Sequence, residues 1–180
     1  ADTVIPRERT AELQLALIRS HAAGMGPTVE PEVVRAMQLL RARSLAMARS
    51  GVRPDVIDAQ LDLLNRGIVP VVREHGSLGA SGDLAPLAHI ALALIGEGDV
   101  VVDGGVRPAA EVVTPIALRA KEGLALINGT DGILGMLCLA LHDLSGLLRV
   151  ADVAAAMSVE GQLGTDRAFA ADLQALRPQV

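Results

Sequence analysis

Tyrosine and tryptophan are absent from this 180-residue sequence, and phenylalanine occurs once, at Phe169. Without aromatics there is no platform on which nucleic-acid bases can stack, and no run of Lys or Arg builds a cationic face for a phosphate backbone. With a net charge of −5 as well, nucleic-acid binding is excluded. Cysteine is almost missing: Cys138 stands alone, so no internal disulfide framework is possible and a reducing cytoplasm fits. Its place in the apolar run 133–141 predicts a buried, inert thiol. No apolar stretch reads as long enough to span a bilayer; 84–95 is interrupted by Pro86 and His89. The opening residues, Ala1-Asp2-Thr3-Val4, lack the basic-then-apolar order of a signal peptide.

What is present is aliphatic. Hydrophobic residues make up 51% of the chain, and with so few aromatics the core must be built from Ala, Leu, Val, Ile and Met. Such side chains favour packed helices over sheets. The expected fold is all-α, a bundle of long antiparallel helices carrying one glycine-rich functional loop. Helices are predicted over 10–23, from Pro31 to about Ser50, from Pro54, over 84–95, in part of 116–126, and over 133–148, 150–163 and 166–176. Segment 67–72 reads as extended, and 96–108 as a hairpin or irregular loop. The helix over 133–148 is apolar nearly all round, which predicts a central, protein-enclosed position. On the helix after Pro31, Arg35, Arg41, Arg43 and Arg49 are expected to stay in water.

The loop reads Gly76-Ser77-Leu78-Gly79-Ala80-Ser81-Gly82-Asp83, followed by Leu84-Ala85-Pro86-Leu87-Ala88-His89. Three glycines before a helix could present amides to a phosphate, but no Lys-Ser/Thr pair follows and Asp83 puts a negative charge where the anion would sit. A nucleophilic Ser81 would need glycines two positions to either side and a neighbouring base, for which only His75 and His89 offer themselves. A plain structural turn with Asp83 as helix cap is also consistent. A further reading uses the backbone. The Gly82 nitrogen attacks the Ala80 carbonyl carbon, and loss of two waters leaves a five-membered imidazolone with a methylidene derived from Ser81. Gly82 has no Cβ to block the approach, Ala80 crowds little, Ser81 carries the hydroxyl to be eliminated, and Gly79 permits the tight turn.

This loop resembles the signature of the aromatic amino acid ammonia-lyases, which carry the 4-methylidene-imidazol-5-one (MIO) prosthetic group. Further segments resemble the family in the same order: Ser20-His21-Ala22-Ala23-Gly24, the run from Lys121 to Thr130, and Ser158-Val159-Glu160. The resemblance implies that Ala80, Ser81 and Gly82 form the MIO, with Gly79 and Asp83 supporting the loop and Asp83 capping the following helix. It implies that Asn128 bonds near the MIO and the substrate amine, although Asn128-Gly129 is also an ordinary turn dipeptide. Ser20-His21 resembles the histidine branch, whereas His-Leu or Phe-Leu marks the tyrosine and phenylalanine branches, so His21 is expected to select an imidazole substrate. The implied reaction converts L-histidine to trans-urocanate and ammonia. Phenylalanine or tyrosine lyases and aminomutases remain the near alternatives, and a catalytically silent helical assembly domain the distant one.

His75, His89 and His142 carry no metal-ligand spacing, and no metal is expected. Family members are longer, work as cytoplasmic homotetramers and use a tyrosine base, which this sequence lacks. The resemblance therefore implies that residues 1–180 are one helical fragment of a longer lyase, holding the loop 76–83 but inactive alone. If cyclisation occurs, intact-mass spectrometry will find the chain lighter by two waters, localised to Ala80–Gly82; an unmodified tripeptide would favour the silent scaffold.

Overall fold

The computed structural model describes residues 5–78 and 82–178, so Gly79, Ala80 and Ser81 lie outside the described residues. After a 3-10 turn at Arg7–Arg9, the first helix, α1, runs Thr10–His21. Strand β1, Met25–Thr28, follows. Pro31 and Pro54 each stand at the first turn of a helix, where a missing N–H costs nothing, and open α2 (Pro31–Ala46) and α3 (Pro54–Asn65). Short strands β2 (Val69–Pro70) and β3 (Arg73–His75) lead to the loop, and α4 (Leu84–Leu94) leaves it. Strands β4 (Asp99–Val102) and β5 (Gly105–Pro108) precede the short helices α5 (Ala109–Val112) and α6 (Glu122–Ile127). The longest helix, α7, runs Asp131–Gly161; a 3-10 turn at Arg167–Phe169 and α8 (Ala171–Gln174) complete the described chain.

Two compact units result, Ala1–Leu139 and Ala140–Val180. In the first, α4 is the central element. Leu87, Ala88, Ile90, Ala91, Ala93 and Leu94 are buried, and the helix packs against α1, α6 and β2. Each fully buried Leu or Ile contributes about 1.5–3 kcal/mol. α2 packs on α3, with Val34, Met37, Leu45, Val56 and Leu63 inside. The second unit contains the remainder of α7, the 3-10 turn and α8.

The mainly helical architecture agrees with the sequence reading, with two small sheets added. β1 pairs antiparallel with β3, and β4 lies between β2 and β5. The hairpin over 99–108 turns at Asp103-Gly104, both at positive φ, which gives the twist a two-residue hairpin needs. The β1–β3 pair has no sequence signal: Gly24-Met25-Gly26-Pro27 reads as a helix stop, and Arg73-Glu74-His75 lacks alternation.

Five expectations are corrected. The central helix is α4; in α7, Ile133 is 52% and Leu147 63% exposed, because an all-round apolar helix has more surface than the described residues cover. The helices predicted over 133–148 and 150–163 are one continuous helix that ends at Gly161, since no breaker separates them. The stretch Glu122–Gly161 is long and apolar enough to cross a membrane by length and composition, contrary to the estimate from run lengths. Cys138 is exposed, as it lies on this same uncovered helix. Arg41 is buried, for the reason given below.

α6 is fixed to the start of α3 by a buried carboxylate. Glu122, 2% exposed, accepts from Arg53 Nε at 2.8 Å and Nη2 at 2.9 Å, and from the amides of Arg119 at 2.7 Å and Arg53 at 3.2 Å. The Arg53 guanidinium, with these amides, outweighs the cost of burial and holds the Glu122 carboxyl down to about 2, against 4.5 in the unfolded chain. Its stabilisation is fully present above the unfolded value and is lost as pH falls toward the folded one. Acid titration of stability between these limits should therefore show a loss of about 3 kcal/mol from this group, absent in Glu122→Gln. Equal acid sensitivity in the variant would refute the assignment.

Candidate active site

The β1–β3 pairing places His75 opposite Met25 and so brings the end of α1 beside the start of the glycine-rich loop. A second tie runs to the far side of that loop. The Gly24 amide donates to His89 Nε2 on α4 at 3.2 Å. Burial, reinforced by nearby Arg73, pushes the His89 imidazole below its ordinary value and favours the neutral ring that this bond requires. His89 thus staples the α1 exit to α4.

His21, in the last turn of α1, is partly buried. Its Nδ1 lies 2.8 Å from the Leu17 carbonyl, and Ser20 Oγ, which itself donates to Leu17 O at 2.9 Å, lies 3.0 Å from the same nitrogen. A carbonyl can only accept, so the proton sits on Nδ1. The neutral ring then presents Nε2 as an acceptor.

The loop's C-terminal edge is built around Asp83, which is 1% exposed. Its Oδ1 accepts the Ser77 hydroxyl at 2.8 Å, and its Oδ2 accepts the backbone amides of Gly132 at 2.8 Å and Ile133 at 3.0 Å. The expected cap is therefore on a different helix. Asp83 makes no side-chain bond at the start of α4; its carboxylate caps α7 instead, where it satisfies free amides and meets the positive helix end. Only its carbonyl serves α4, accepting from the Leu87 amide at 3.0 Å. Gly82 is buried with φ +84°, and a Cβ there would approach Ile133 Cδ1 to 3.2 Å, so both backbone and space call for glycine. A cavity of about 70 Å³ opens beside this point, its wall including Ser77, Asp83, Gly132, Ile133, Met37 and Arg73.

Asn128 closes α6 and lies three residues before α7. Its carbonyl accepts from Arg41 Nη1 at 2.8 Å, and the same Nη1 stands 3.1 Å from Asp131 Oδ2. Burial pushes the Asp131 carboxyl up, against the opposing pull of Arg41. The described structure thus joins Asp83, beside Gly82, to the start of α7 directly after the Asn128–Asp131 turn, while the contacts described for His21 stay within α1. Gly79, Ala80 and Ser81 lie outside the described residues. His142 and Cys138 belong to no group of three or more His, Cys, Asp or Glu suited to a metal among the described residues. Sequence reasoning missed Ser77, Arg41 and Asp131. Only Asp131 had a visible signal, a carboxylate just ahead of a long apolar run.

The sequence and the fold both have known counterparts. The profile of the aromatic amino acid lyases matches residues 1–180. The chain is 56% identical to the histidine ammonia-lyase of Streptomyces avermitilis over 97% of its own length and 35% of that protein's. Its fold is similar to the crystal structure of histidine ammonia-lyase from Trypanosoma cruzi, with a TM-score of 0.90 and 40% identity over 98% of this chain and 35% of the other. The phenylalanine aminomutase of Pantoea agglomerans gives a TM-score of 0.91 at 30% identity, covering 99% of this chain and 35% of that one. The chain spans about a third of the length of these relatives. With its whole length matched by the family profile and its fold reproduced at these scores, the chain belongs to the aromatic amino acid lyase family.

Proposed function

We propose that this chain is a segment of a histidine ammonia-lyase, an enzyme that removes ammonia non-oxidatively from L-histidine to leave trans-urocanate. The likeness to histidine ammonia-lyases over nearly the whole chain carries this reading. Ala80, Ser81 and Gly82 would supply the MIO, an electrophile that takes up the amino group and makes it a better leaving group. The left-handed backbone of Gly82 and the anchoring of Asp83 fit such a group. α4 starts two residues after Gly82, so its positive end favours negative charge near the loop. Asn128 would orient the substrate amine.

His21 gives the reading its substrate. With Nδ1 committed to Leu17, Nε2 accepts a hydrogen bond from the ring N–H of an imidazole, which a phenyl ring cannot donate. A phenylalanine or tyrosine lyase, or an aminomutase, is the second reading, favoured by the likeness to the phenylalanine aminomutase. We place the full enzyme in the cytoplasm as a homotetramer without metal. The apolar side chains that α7 exposes, among them Leu137, Leu141, Leu144 and Leu148, support burial in an assembly.

Two measurements test this. In the full-length enzyme, His21→Leu should lower kcat/KM for histidine by about tenfold, the worth of one net hydrogen bond of about 1.4 kcal/mol; unchanged kinetics would remove the selectivity argument. The 180-residue chain alone should yield no appreciable urocanate, since abstraction of the β-proton needs a positioned base worth about 10²–10⁴-fold and the chain has no tyrosine. Substantial urocanate from the chain would show that another residue, such as His75, can act as the base.

A further inference from the structure

Arg41 lies on α2 and is only 6% exposed. One nitrogen, Nη1, makes both of its contacts, the bond to the Asn128 carbonyl at 2.8 Å and the approach to Asp131 Oδ2 at 3.1 Å. Stability alone does not account for this arrangement. Removing two charges from water costs several kcal/mol each, on the order of what their attraction returns, and apolar replacements of similar volume often serve as well. What the guanidinium provides is a fixed post inside a turn. It holds the backbone just before Gly129 and the side chain two residues after it. A Cβ on Gly129 would collide with both Arg41 Nη1 and Asp131 Oδ2, so the chain wraps directly on the charged group.

The residue after Asp131 is Gly132, whose amide is held by Asp83. A continuous series of contacts therefore runs from Asn128 through Arg41 and Asp131 to Gly132, Asp83 and Ser77. α2, which carries Arg41, is packed on α3 and buries Val34, Met37 and Leu45, so the post is anchored in the core rather than in the loop. We propose that Arg41 is a positioning residue: its buried guanidinium sets the Asn128 turn in register with Asp83 and the adjoining Gly82. This rests on the lyase reading, in which Asn128 orients the substrate amine.

The test compares the full-length enzyme with Arg41→Met/Asp131→Leu and with Asp131→Asn. The double variant removes both charges together and so leaves no unpaired buried charge, while the hold on the Asn128 carbonyl is lost. The Asn variant keeps that hold. The expected result is a fall in kcat of about 10²-fold in the double variant, as for a displacement of about 1 Å in a reacting group, with KM and thermal midpoint near those of the parent. Asp131→Asn, which keeps the hold on the Asn128 carbonyl, should lose clearly less kcat than the double variant. Parental kcat in the double variant, or an equal loss in both variants, overturns the proposal. If the double variant does not fold, Arg41→Lys decides. Its shorter ammonium keeps the charge beside Asp131 but not both contacts, so low kcat with an intact midpoint supports the proposal and parental kcat overturns it. A parent enzyme that neither loses two waters nor makes urocanate would instead refute the lyase reading itself.

Discussion

One carboxylate organises the loop's surroundings. Asp83 receives a hydroxyl from the loop's beginning and two amides from the start of α7, while its own backbone begins α4. Bonds of this charge-assisted kind contribute more than neutral ones, and burial at 1% exposure raises what is lost if any is left unmade. The loop's beginning, the start of α4 and the start of α7, about fifty residues further along, thereby share a single point. The local fold around the candidate site follows from satisfying that buried charge.

Around it, the first unit uses different means on different sides. The α4 face towards α1 and α6 is held by close aliphatic packing, with no aromatic ring in its core. The α6–α3 side is held by Glu122 and Arg53, and the α1 exit by the neutral ring of His89. These polar ties join chain ends and turns, where backbone groups would otherwise go unsatisfied. Packing supplies most of the stability, and the polar ties determine where the loop borders lie.

Much of this was legible in the sequence. Proline at Pro31 and Pro54 gave two helix starts directly, and the apolar run after Leu84 gave α4. The loop signature and its flanking segments pointed to the family. What escaped was long-range. Asp83 looked like a local cap because cap residues normally serve the helix that follows, whereas its partner amides lie about fifty residues away. Arg41 looked like an ordinary wet arginine, since nothing in α2 announces a carboxylate on another helix. β1 and β3 gave no pattern because a pair this short needs only backbone geometry. α7 shows the converse failure: its composition was read correctly as that of an enclosed helix, but enclosure depends on neighbours that periodicity cannot supply.

Each border of the glycine-rich loop is held by contacts to another part of the fold. His75 is fixed by its pairing with β1, and Asp83 by its bonds to α7 and α4. A segment strung between two immovable posts is governed by its contour length as much as by its chemistry. One added residue lengthens the chain that must join the two posts, and one removed shortens it against them. Substitution within the loop and insertion into it are therefore unlike perturbations: the first leaves the length of chain between the posts unchanged, the second alters it. The number of residues between His75 and Asp83 must therefore match the span between two anchored positions.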